Sequence, residues 1–193
     1  MAESQRAFSL NLVRLGAYLA LFAGAAWMVL GFVAVITLIR GGGVHSPAFL
    51  GSALYVVAFV GTLGGIVGLH VRQSSGYGLL GKAGFAAAFS GTALLVVGLV
   101  LLFALGDSPE PTFLDTVLAL WDALAGFVLV GVATLRLTTL PQPCGWALLA
   151  SPPLALLLGG YGGGMVLGVA WLVVGYALLA QRDVSALLPT KSG

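Results

Sequence analysis

Three residues could do polar work inside an otherwise apolar chain: Asp122, Asp115 and Arg40. A carboxylate in hydrocarbon is costly unless it is paired, hydrated or protonated. Asp122 falls inside the apolar run that follows Thr112, next to Trp121. Deep placement would let it bind a proton or a cation, or pair with Arg40 on the same expected side of the membrane. Shallow placement would make it interfacial, with Trp121 as an interface anchor. Asp115 precedes it by about two helical turns, so both acids project roughly onto one face and could form a small acidic vestibule.

The remaining chemical inventory is thin. His45 is expected just before the second apolar run and His70 at its end. About a full membrane separates them, so they cannot ligate one metal or clasp one haem. Cys144 is the single cysteine, so no intrachain disulfide is possible. It offers one soft ligand where a metal site usually needs three or four. Ser46 beside His45 is a neighbour pair in sequence, which does not make a nucleophile and base. The stretch GGYGGGMVLG is glycine-rich but lacks the lysine and the strand context of a phosphate loop. No catalytic residue, metal or cofactor is expected.

The elements that must position these residues follow from composition. Of the 193 residues, 60% are hydrophobic and 7% charged, with a mean hydropathy of +1.10. A soluble domain carries roughly 25% charged residues, so this chain cannot cover a wet surface. The formal charge of +2 comes with no basic stripe, which excludes a nucleic-acid footprint. The sequence predicts an all-α, polytopic transmembrane bundle forming one domain. Six spans are expected, at 15–39, 47–69, 83–105, 113–135, 144–160 and 163–180. Each of the first four is long enough to cross about 30 Å of hydrocarbon as a helix. The run after Arg14 outlasts the roughly 7–15 apolar residues of a cleavable signal, so it reads as a retained first helix.

The last two spans need a separate argument. No charge intervenes between Leu137 and Gln181. As one helix that stretch would extend about 68 Å at 1.5 Å per residue, so it must fold back. The glycines from Gly159 to Gly164 are the natural reversal. Pro152 and Pro153 make the fifth segment either a kinked helix or a re-entrant hairpin.

Basic residues set the orientation. With the N-terminus inside and six crossings, Arg6, Arg14, Arg72, Lys82, Arg136, Arg182 and Lys191 all lie inside, leaving only Arg40 outside. Asp107, Glu110, Asp115 and Asp122 lie on the outer side. This satisfies the positive-inside rule and puts both termini in the cytoplasm of a prokaryotic cell, with the chain in its inner membrane. Tyr18, Tyr55, Trp121, Trp146, Tyr161 and Tyr176 fall where an aromatic belt would. Trp27 and Trp171 lie deeper, where they face lipid, fill the core or touch a bound pigment or quinone.

Glycine ladders are the clearest local pattern. Gly61 and Gly65, Gly64 and Gly68, and the series Gly160, Gly164 and Gly168 each share a helix face. Such strips let helices approach closely, either within one bundle or between subunits. Gly24 and Gly31 repeat the spacing of Gly91 and Gly98, a faint hint of an internal repeat. The polar residues within the spans are mainly Ser52, Thr62, Ser90, Thr92, Thr134 and Ser151.

The runs YGLLGKAGFAAAFSGTALLVVGL, SPPLALLLGG and VLGVAWLVVGYALL resemble stretches of bacterial and archaeal multi-pass membrane proteins. The resemblance implies a helical membrane fold and carries over no catalytic residue. Two functions fit these features. One is a noncatalytic structural or accessory subunit, self-associating or bound to a membrane protein complex partner as well as to lipid. The other is a small-solute or proton-coupled transporter. A lipid-active enzyme has no residue constellation behind it.

Overall fold

A computed structural model describes the backbone of residues 2–41, 48–76, 78–105, 113–137 and 139–187. Side-chain surroundings are described for 7–41, 53–76, 78–101, 120–137 and 139–180, apart from residue 160. Six α-helices follow one another: α1 (Ala2–Ile39), α2 (Ala48–Gln73), α3 (Leu79–Leu105), α4 (Phe113–Arg136), α5 (Gln142–Leu158) and α6 (Gly163–Leu187). No strand occurs among the described residues. Within them, α1, α2, α3 and α6 each hold a stretch long and apolar enough to cross a membrane.

The helices outrun the apolar spans that hydropathy marks. The α1 helix starts at Ala2 rather than near residue 15, α2 continues to Gln73, and α6 extends to Leu187. Arg6, Arg14 and Arg72 do not stop a helix, because straight-chain charged residues are good helix formers. Hydropathy reports the width of the hydrocarbon; backbone propensity decides where the helix ends.

The fifth segment is one unbroken helix that runs through Pro152 and Pro153. Its 17 residues extend about 25 Å. The reversal falls on the predicted glycines. A single 3-10 turn, Gly159–Tyr161, is flanked by positive φ at Gly159 (48°) and Gly162 (107°). Side chains with a Cβ rarely adopt these conformations.

In space, each helix packs on its sequence neighbours, and α6 closes the ring on α1. Every seam is antiparallel, which an even number of helices allows on closure. Large apolar side chains stand on the described surface: Phe8, Phe22, Phe32, Val97, Leu157 and Val169 are all exposed. Hydrophobic burial from water therefore cannot select the partners of each helix. In lipid the selection falls to close packing and interhelical hydrogen bonds.

Glycine supplies that close packing. A Cβ on Gly16 would lie 2.6 Å from the Gly68 Cα, and one on Gly68 would lie 2.9 Å from the Gly16 Cα. The α1 and α2 backbones thus touch there. On its other side α1 meets α6 in the same way: a Cβ on Gly168 would sit 2.8 Å from the Gly24 carbonyl oxygen, and one on Gly164 would sit 2.9 Å from that of Trp27. Gly61 and Gly64 also face α1, while Gly65 lies under the Trp171 ring. Gly160 belongs to the 3-10 turn. Gly24 and Gly31 both meet α6, whereas Gly98 faces open space, so the two equally spaced glycine pairs do not share a role.

A substitution pair checks this reading. Gly16→Ala should lower the unfolding free energy by about 1–3 kcal/mol, the usual cost of forcing atoms into a packed contact. Gly98→Ala should leave stability unchanged or slightly raised. Denaturant titration in lipid–detergent micelles, followed by helical circular dichroism, measures both. Equal effects at the two positions would contradict the close-contact assignment.

Candidate functional site

The ring leaves a cavity of about 380 Å³ in the half of the bundle where α1, α3 and α5 end. All six helices contribute to its wall. Most of the wall is aromatic or small: Trp27 and Trp171 stand among Phe59, Phe127, Gly31 and Gly164. Trp27 meets Phe59 edge-on at 5.0 Å and Tyr55 at 5.8 Å, and Trp171 meets Phe127 edge-on at 5.8 Å. Both tryptophans are buried, which removes the lipid-facing alternative for them. Tyr55, Leu120 and Leu156 are half-exposed and mark where the wall reaches the surface.

Among the described residues, the half-exposed Tyr55 and two threonines, Thr62 and Thr92, give this wall its hydroxyl groups. The Trp27 indole N–H donates to the Thr62 Oγ1 at 3.3 Å. Thr92 is 1% exposed, and its Oγ1 has no hydrogen-bond partner. A threonine inside a helix ordinarily bonds its hydroxyl back to the preceding turn. An unmet buried hydroxyl costs roughly 1–3 kcal/mol.

The opposite half of the ring is closed. Leu69, Cys144, Leu148, Val174 and Leu178 are all buried there. Gln73 is 0% exposed even though it is the last residue of α2. The Thr134 hydroxyl donates to Gln73 Oε1 at 3.1 Å, which ties α2 to α4 across α3. Gln73 Nε2 has no partner. Nothing in the sequence flagged Gln73, which sits among the polar residues HVRQSSGYG and reads as loop.

Asp122 lies elsewhere. It is partly buried at the α3–α4 seam, on the outside of the ring. The Ser90 hydroxyl donates to Asp122 Oδ2 at 2.8 Å, and the same Oγ lies 3.2 Å from the Ala87 carbonyl oxygen. Ser90 is exposed. Along α4, Asp122 is about 14 Å from Phe113 and about 21 Å from Arg136. Trp121 beside it is 63% exposed. Exposed Phe89 and Leu94 of α3 flank Ser90 along its helix.

The structure does not bring Asp122 to Arg40. Arg40 lies exposed at the end of α1, and α1 packs on α2 and α6. Asp122 sits on α4, which packs on α3 and α5. The Asp115 backbone is in α4, and its side chain lies outside the described residues. His45 lies outside them as well. The His70 ring stacks on Phe85 at 3.8 Å. Cys144 is buried, its Sγ 4.0 Å from the Val173 carbonyl oxygen. Among the described residues, no three His, Cys, Asp or Glu side chains gather where they could hold a metal.

No known protein family, curated protein or solved structure matches this chain.

The Gln73–Thr134 pair lends itself to a double-mutant test. Thr134→Val should destabilise the protein by about 1–3 kcal/mol, because it leaves the buried amide wholly unmet. Combining it with Gln73→Leu should recover most of that loss, since both polar partners are then gone. Equilibrium denaturation in micelles reads the cycle. Strictly additive losses would remove the pair from its closing role.

Proposed function

We propose that this chain is a noncatalytic subunit of a membrane assembly, held to its partner through the Ser90–Asp122 pair. The observation that carries the reading is the direction of that pair. Ionisable residues within transmembrane segments almost always face the bundle interior or a water-filled cavity. Asp122 instead sits on the outer side of a seam, far from either end of α4. Inserting an aspartate at a helix centre costs roughly 2.5–3.5 kcal/mol. One serine hydroxyl offsets only part of that.

The surroundings suit a covering helix. Trp121, Phe89 and Leu94 make an apolar apron around a polar centre, the usual layout of an interaction hot spot. The partner that fits is a transmembrane helix with an arginine, lysine or amide side chain at mid-depth. Self-association through glycine strips has less support, because Gly61, Gly64, Gly65, Gly68, Gly164 and Gly168 all meet helices or side chains of the same chain. Coupled transport of a proton or an ion also has less support. Asp122 is not part of the cavity wall, and among the described residues that wall holds no Asp, Glu, Lys, Arg or His. The orientation that accompanies this reading puts both termini in the cytoplasm, by the distribution of basic residues; a prokaryotic inner membrane is what the resemblance to bacterial and archaeal membrane proteins implies.

Site-specific photo-crosslinking in native membranes tests the assignment. A crosslinker at position 121 should give a discrete protein adduct. The adduct should fall at least about tenfold in Asp122→Leu, as expected when a buried polar partner is lost. A crosslinker at Phe22, exposed on α1, should yield lipid adducts only. Protein adducts at position 121 that persist in Asp122→Leu would overturn the reading. An adduct of twice the chain's mass would replace the foreign helix with a second copy.

A further inference from the structure

We propose that the central cavity binds an apolar molecule of about a dozen non-hydrogen atoms that carries one hydroxyl or carbonyl group, with Thr92 as its hydrogen-bond partner. This site is separate from the Ser90–Asp122 seam, and neither assignment needs the other.

Size, wall chemistry and one unmet group set the ligand class. At the roughly 30 Å³ that a water occupies in the liquid, a 380 Å³ space takes about a dozen non-hydrogen atoms. The described wall residues carry no charged side chain, which disfavours ions, sugars and amino acids, since these would lose their hydration without replacement. Aromatic faces from Trp27, Phe59, Phe127 and Trp171 instead favour a hydrocarbon body. Filling the space with water fits poorly, because each ordered water needs two to four polar partners.

The polar requirement is specific. Thr62 already accepts from Trp27, so its oxygen has a partner. Thr92 is buried in the wall with its Oγ1 unmet. A hydroxyl can donate to a carbonyl, or donate to and accept from another hydroxyl. One such group on an otherwise apolar guest completes the site. Pockets of this kind combine apolar walls with a few placed polar groups that fix orientation.

Tryptophan fluorescence reads the site directly. Trp27 and Trp171 line the cavity, whereas Trp121 and Trp146 are exposed. A Trp121→Phe/Trp146→Phe background in phosphatidylcholine nanodiscs leaves the two cavity reporters. The probe is 10-bromodecan-1-ol, whose bromine quenches indole on contact. Saturable quenching is expected, relieved by unlabelled decan-1-ol. Thr92→Val should weaken it about tenfold, the effect of one lost hydrogen bond of about 1.4 kcal/mol. Thr92→Ser, which keeps the hydroxyl, should restore the affinity. Bromodecane, lacking the hydroxyl, should bind wild type and Thr92→Val alike.

Three results would overturn the proposal. Quenching that rises linearly without saturation would mean partition into the bilayer. Equal affinities of 10-bromodecan-1-ol for wild type and Thr92→Val would remove Thr92 from recognition. Nanodiscs made with chain-brominated phosphatidylcholine separate a second source: quenching by them that decan-1-ol does not relieve would assign the cavity to bilayer acyl chains.

Discussion

The structure depends on the contact of the α1 backbone with two neighbours at once. Gly16 meets Gly68 on one side, and Gly24 meets Gly168 on the other. In water a helix gains its place by hiding an apolar stripe. Here the outward residues are as apolar as the inward ones, so that force does not discriminate. What remains is dispersion, which falls steeply with distance. Only glycine lets two helix backbones come near enough for it to be large. The two tight seams make α1, α2 and α6 one half of the molecule. A third tight seam joins α3 to α4, where Gly126 of α4 meets Ala88 and Gly84 of α3 meets Leu129 and Val130. The cavity lies between these two groups of helices, with α5 completing the wall.

Closure of the ring also explains why the two halves differ. Near the start of α1, small and branched residues such as Ala17, Ala20, Val174 and Leu178 fill the axis. Near its end, glycines at positions 31, 163 and 164 bring helix backbones into contact, and the cavity opens beside them. Large aromatics stand around that space without filling it. A polar pair, Gln73 with Thr134, then ties the filled end across the ring. A bundle that only had to be stable would gain by moving a larger side chain into the vacant half. The chain instead combines small residues with an unmet hydroxyl at that level.

Much of the fold is legible in the residue order, for identifiable reasons. Scarcity of charge marks a membrane chain, because water and lipid demand opposite surfaces. The charge-free stretch after Leu137 exceeds any bilayer, so a reversal is forced, and GGYGGG is where the backbone can make it. Helix ends are less legible: Arg14 reads as a boundary yet lies inside α1. The polar sites depend on register between helices, which no single segment encodes. Ser90 and Asp122 meet only because α3 and α4 pack antiparallel at one offset. Gln73 looks like a loop residue until α2 runs on to bury it. Thr92 is one threonine among several, and only its place in the ring buries its hydroxyl unmet in the cavity wall.

The two polar features demand different answers because they face different media. A buried hydroxyl in the wall of an apolar cavity can be satisfied only by something that enters that cavity. Its requirement is small: one hydrogen bond and a matching volume. A carboxyl group on the outer seam, at the depth proposed for Asp122, would face hydrocarbon that offers no hydrogen bonds, and its cost would be larger. A small guest in the cavity cannot reach it, since Asp122 does not line that wall. Lipid tails cannot satisfy it either. A side chain carried to that depth on another helix can. The geometry thus divides the molecule into an inner surface suited to a small apolar ligand and an outer surface suited to a protein. The proposed subunit, holding a small apolar molecule beside a partner helix, would meet both demands.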